Sequence, residues 1–190
     1  MSRGHVSIEP FYLDWRRYND LVVGALRGMS TEELALRAPE GEETSSTSWP
    51  IWAIAGHTAG MRVYWLCVVM GEPGAETTPF QDPAGAGWED DLGHPRYADE
   101  LVTAWTSTWA LVERALSRWT PDMLEDHVAR GQGDATRHFT RRSLLLRLIT
   151  HEAYHLGEIA MIQGIHGRSP IDLWPAGYHT IEAEAAREPR

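Results

Sequence analysis

Four stretches of this chain place large apolar residues three or four positions apart over several turns, a spacing that fills one face of an α-helix and fits no β-strand. The first carries Phe11, Trp15, Tyr18, Val22 and Leu26, and the third Leu101, Trp105, Trp109, Val112 and Leu116. The second carries Ile54, His57, Met61, Tyr64, Trp65 and Val68, and the last Leu144, Leu148, His151, His155, Ile159 and Ile162. Each such helix has one face to bury. Four of them with little strand signal between predict an all-α protein, an up-and-down four-helix bundle.

The punctuation between the stripes sets the boundaries. The first helix is expected over 8–27, with Pro10 in its first turn. Ser30 and Glu33 make a capping-box pattern for a short helix over 31–36 that stops before Pro39. Residues 41–48 are polar and rich in Ser and Thr, a loop by composition. Ser48-Trp49-Pro50 opens the second long helix, and Gly71-Glu72-Pro73-Gly74 ends it near Met70. From there to Pro95 the chain is dense in Gly, Pro and Asp, long for an inert connection and read as a crossover or lid. The third helix runs to about Trp119, and Thr120-Pro121-Asp122 starts another short turn. His127 to Thr140 reads as a loose hairpin or a loop. Thr140 caps the last helix, which ends at Gly167 with Pro170 beyond. The whole chain, 1–190, reads as one domain with its core over about 8–167 and a tail over 168–190 whose Ala/Glu-rich end is a short helix or frays.

Charge narrows the function classes. A net charge of −10 lacks the surplus of cations that phosphate binding needs, so no nucleic-acid partner is expected. No run is long and apolar enough to span a bilayer and no basic, apolar leader opens the chain, so the expectation is a cytoplasmic protein without a membrane partner. The single cysteine, Cys67, sits in an apolar run where a thiol serves as a small core residue. Of the nine tryptophans, Trp49, Trp88 and Trp174 fall near helix ends or in loops and are the candidates to line a pocket or a contact between subunits.

Three histidines stand on the stripes where a core residue is expected. A buried imidazole must satisfy its ring nitrogens, and an unpaired polar group costs about 1–3 kcal/mol. His151 and His155, one turn apart on one face, can present nitrogens to a single ion, and His57 can complete a three-nitrogen site with open positions. At about 1.5 Å per residue, His57 lies about 12 Å into its helix, His151 about 15 Å and His155 about 21 Å into theirs. If the second and fourth helices start at the same end, as in an up-and-down bundle, the three rings meet at one level. His5, His94, His127, His138, His166 and His179 lie in loops or near element ends, where a solvated or capping role is expected.

His151-Glu152-Ala153-Tyr154-His155 also matches the spacing of zincin metalloproteases, in which the glutamate activates a zinc-bound water. The metzincin extension would need a glycine at 158 and a histidine at 161, where this chain has Glu158 and Met161. Glu152 is expected on the flank of the helix. Glu158, three residues after His155, is better placed to orient a ligand or act as a base.

The stretch from Trp49 to Gly60, with His57 inside it, together with His151-Glu152-Ala153-Tyr154-His155-Leu156-Gly157-Glu158, resembles the DinB/YfiT-like superfamily of metalloenzymes. The Leu173-Trp174-Pro175 tail is similar to one branch of it. The resemblance implies an up-and-down four-helix bundle holding one divalent ion (zinc, nickel or iron) through His57, His151 and His155. It also implies a homodimer, a small-molecule substrate, and a low-molecular-weight thiol as a further cofactor, because characterised members include mycothiol- and bacillithiol-dependent S-transferases and a maleylpyruvate isomerase. The chain has Leu156-Gly157-Glu158 where many members have Arg-Gly-Gln. Two readings follow: a metal-dependent enzyme that activates water or a thiol, a hydrolase or S-transferase with Glu158 or Tyr154 moving protons, or a metal-holding module without turnover.

Overall fold

The computed structural model describes residues 6–39, 49–81, 91–131 and 133–175. The loop over 41–48, the end of the tail, His5, Trp88 and His179 lie outside the described residues. Four long helices form the body. A 3-10 turn, Glu9–Tyr12, leads into α1, Leu13–Gly28; the short α2, Thr31–Leu34, follows; then come α3, Ile51–Val63, α4, Ala98–Arg118, and α5, Arg141–Ile165. Between α4 and α5 a 3-10 turn leads into the hairpin of β1, His127–Arg130, and β2, Arg137–Thr140, antiparallel with His127 opposite Thr140.

The caps behave as their chemistry dictates. Ser30 and Glu33 exchange side-chain-to-backbone hydrogen bonds, Ser30 Oγ accepting from Glu33 N at 3.2 Å and Glu33 Oε2 from Ser30 N at 2.9 Å. Thr140 Oγ1 accepts from Ser143 N at 3.1 Å and so opens α5. The core is one cluster in which Trp15, Trp52, Trp65, Trp105, Trp109 and Trp119 are the large pieces, packed with aliphatic residues of every long helix.

The α-helix expected from residue 8 begins at Leu13, after the 3-10 turn, which leaves Phe11 exposed instead of on the buried stripe; two larger features also depart from the sequence reading. The chain continues from α3 through Tyr64–Val69 as a π-helix, where uniform α-helix was expected. The wider turn slips the phase, which carries the adjacent Trp65 and Leu66 both into the core while Val68 faces solvent. The second departure is the order of directions. Along α3 and α4 the contacts rise together: Ala55 with Trp105, Arg62 with Thr108, Glu72 with Trp119. Along α3 and α5 they run oppositely: His57 with His155, Arg62 with Glu152, Trp65 with Arg147, Glu72 with Arg141. The all-α four-helix architecture stands, with its long connection and short accessory helices, but α3 and α4 are parallel and α3 and α5 antiparallel. The physical reason is the connection itself. About 28 residues can span roughly 90 Å when extended, ample to return along helices of about 30 Å, and Pro79 already lies beside Asp99 and Thr103 near the start of α4.

Candidate metal centre

The core-facing residues of α5 are Leu145, Leu148, Glu152, Leu156, Ile159 and Gln163, with Leu144 and Ile162 beside them. The centre of the buried face is therefore rotated from the stripe through the histidines, and His151 and His155 occupy its flank toward α3. From α3, His57 comes across to meet them. His57 Nε2 and His151 Nε2 are 3.3 Å apart, and the ring centroids lie at 5.2 Å (His57–His151), 5.1 Å (His57–His155) and 4.5 Å (His151–His155). One ring nitrogen from each of the three can be chosen so that all lie within 4.8 Å of one another. The rings are half-buried rather than sealed in the core.

The three rings converge as the sequence predicts, but α3 and α5 do not start at the same end as expected, so their depths match in a different way. α3 starts where α5 ends, and from that common end His57 is six residues in and His155 ten, about 9 Å and 15 Å. The antiparallel pair brings the triad together from opposite directions.

The donor set fits a divalent cation. Two nitrogens held at about 2.0–2.1 Å with tetrahedral angles are separated by roughly 3.3–3.4 Å, which is the spacing of the His57 and His151 Nε2 atoms. His151 turns its Nε2 toward His57, while its Nδ1 is buried without a hydrogen-bond partner. Burial first, then the neighbouring His155, His57 and Arg147, push the His151 imidazole down to about 4, so near neutral pH it is uncharged with a lone pair to give. His155 Nδ1–H donates to Glu158 Oε2 at 2.9 Å, which fixes its ring and leaves Nε2 for a ligand. Among the described residues no fourth His, Cys, Asp or Glu joins this cluster.

Tyr154, 71% exposed, stands edge-on to His155 with ring centroids 5.2 Å apart. Trp49 packs edge-on to His57 at 5.5 Å, so this residue near a helix start does line the site. Trp174 lies away from it, with Phe11, Tyr12, Tyr18, Ile149 and Ala153 around an apolar hollow of about 360 Å³ between α1 and α5.

Glu152 is the main correction among the polar residues. It is 1% exposed and points into the core, not along the flank. Arg62 Nε donates to its Oε1 at 2.7 Å and Arg62 Nη2 to its Oε2 at 3.1 Å, while Trp15 Nε1–H donates to Oε2 at 2.8 Å. Arg62 Nη1 donates to Asn19 Oδ1 at 2.8 Å and to the Trp105 carbonyl at 3.3 Å, and the guanidinium lies 4.5 Å from the Trp105 ring centroid. Both carboxylate oxygens are engaged by Arg62 and Trp15 in the core, so Glu152 is not free to activate a water and the metalloprotease reading loses its base. Sequence reasoning missed Arg62 and Asn19. The signal was present: between Trp49 and Gly71, Arg62 is the one charged residue in an apolar helix, and a cation so placed demands a buried anion.

A bundle of this connectivity with a half-buried imidazole trio on facing helices defines a class of helical protein with a candidate metal centre. The profile of the DinB superfamily matches residues 12–159, and the chain belongs to that superfamily. Among solved structures it is similar to a DinB-like protein from Bacillus cereus ATCC 10987, at 19% identity and a TM-score of 0.60, over 86% of this chain and 95% of that one. That likeness is one of fold. No curated protein matches the chain significantly.

Proposed function

We propose that His57, His151 and His155 hold one divalent metal ion and that the protein is a metal-dependent enzyme whose nucleophile is water or a small thiol. The observation that carries this reading is the 3.3 Å approach of two imidazole nitrogens from separate helices beside a third imidazole oriented by a carboxylate. An ion with three imidazole ligands and open positions lowers the pKa of a water or thiol bound to it, so that a nucleophile exists near neutral pH. The residues supply the rest. Glu158 holds His155 in one tautomer and is the nearest carboxylate to receive a proton at the centre. Tyr154 projects its ring beside His155 at the open side, where a substrate would meet it. A cluster that no fourth side chain closes among the described residues favours turnover over a purely structural ion.

The test is elemental analysis of untagged protein. The native chain is expected to bind about one ion per molecule, and His57→Ala and His155→Ala to lose it while the far-ultraviolet circular dichroism stays helical. Glu158→Gln is expected to keep the site but weaken affinity about 10–100-fold. Unchanged metal content in both alanine variants would overturn the assignment. A screen with thiol donors, run with the native ion in place, then separates a hydrolase from an S-transferase.

A further inference from the structure

The acidic balance of the chain makes one exposed feature stand out. On the side of the triad toward the hairpin, α3 continues as the π-helix, which carries Tyr64 and Trp65. Two guanidinium groups lie on these rings: Arg130 of β1, 5.1 Å from the Trp65 centroid and 5.3 Å from that of Tyr64, and Arg147 of α5, 4.7 Å from the Trp65 centroid. Arg130 Nε–H also donates to Tyr64 Oη at 2.8 Å. Arg137 stands opposite Arg130 across the hairpin. In a chain with 27 acidic side chains and 17 cationic ones, none of these three arginines forms an ion pair with a carboxylate among the described residues, although Arg141 and Arg142 close by do.

Position gives this cluster its meaning. Arg147 precedes His151 by one helical turn of α5, about 6 Å along the axis. Both guanidinium groups are held against the Trp65 ring, at 5.1 and 4.7 Å from its centroid, and their N–H donors suit a planar or tetrahedral oxyanion, the partner arginine binds most strongly. We propose that Arg130 and Arg147, held on Trp65 beside the Tyr64 hydroxyl, form an oxyanion subsite next to the His57/His151/His155 centre, so that the small molecule reacting there carries a carboxylate or phosphate group. This inference rests on the metal reading for the word reacting, but the anion subsite stands on its own residues.

The experiment has two arms. In the first, cobalt-substituted protein is titrated with mercaptopropionate, mercaptoethanol and cysteamine, which present the same thiol with a negative, a neutral and a positive tail, and binding is followed by the cobalt–thiolate absorption band. Mercaptopropionate is expected to bind about tenfold more tightly than mercaptoethanol, the value of one charge-assisted hydrogen bond, and cysteamine more weakly still. Arg130→Gln and Arg147→Gln, both at exposed positions, are expected to reduce that preference to about twofold or less, and Arg142→Gln to leave it unchanged. In the second arm, metal-free protein is titrated with succinate and with inorganic phosphate, and the arginine Nε–H resonances are followed; Arg130 and Arg147 are expected to shift and saturate, and the anion with the tighter curve identifies the group. Equal affinity for the charged and neutral thiols, or a preference that survives both glutamine substitutions, overturns the subsite. If the protein takes up no cobalt, the metal reading fails by itself, and the second arm still decides: saturable shifts uphold the anion subsite, and flat resonances overturn it.

Discussion

Single side chains in this protein take their ionisation from what buries them. Tyr18 sits in the wall of the hollow between α1 and α5, where burial, and then the negative charge of Glu152, push its phenol up to about 12. A group whose pKa is raised on folding stabilises the native state fully below its unfolded value, near 10, and that contribution is lost as pH rises through 10 to 12. Absorbance titration of the folded protein is therefore expected to show one tyrosine ionising well after the exposed ones, and Tyr18→Phe to remove that late step. Unfolding midpoints of the native chain should fall more steeply between pH 10 and 12 than those of the variant, and parallel curves would contradict the account. His57, His151, His155 and Glu158 could be singled out as residues from spacing alone. The direction of Glu152 could not, because neighbours one position apart on a helix differ by about 100° in facing, and only the packing partner decides which of them is inward.

At the scale of the elements, the sequence announces helix starts better than helix geometry. The caps at Ser30 and Thr140 and the stop at Gly167 fall where the residues put them. The π-helix at Tyr64–Val69 has no such local marker, since it answers the demand of Trp65 and Leu66 for a common core. Just beyond it, Gly74 turns the chain with a φ of +118°, a conformation side-chain-bearing residues rarely adopt. An added Cβ would also meet the Arg114 guanidinium and, at 2.7 Å, Leu111 Cδ2. Arg114 can swing away, but Leu111 is part of the core and cannot do so freely. Gly74→Ala is expected to lower stability by about 1–3 kcal/mol, read from urea unfolding. A neutral or stabilising result would show that the turn does not require its observed backbone.

For the whole molecule, one buried node ties the long helices together. Arg62 of α3 and Glu152 of α5 form its ion pair, Trp15 and Asn19 of α1 donate and accept around it, and Trp105 of α4 offers its carbonyl and ring. Removing one partner leaves the other charge buried and unpaired, so Arg62→Ala is expected to cost about 3–5 kcal/mol, whereas Arg62→Met combined with Glu152→Leu should cost less than the two single losses added. Strict additivity in urea melts would show that the two charges act independently. The node faces the core about 100° round α5 from His151, so the helix that presents the triad is also tied to α1, α3 and α4.

By itself the sequence determined the helix count, the caps, the all-α class and the three histidines, because these follow from periodicity and local hydrogen bonding, which neighbours in the chain supply. Tertiary structure alone decided that α3 and α4 run parallel, that Glu152 turns inward to Arg62, and that Arg130 and Arg147 both come to the Trp65 ring. Those outcomes depend on residues far apart in the chain competing for one core, and no local pattern records who wins.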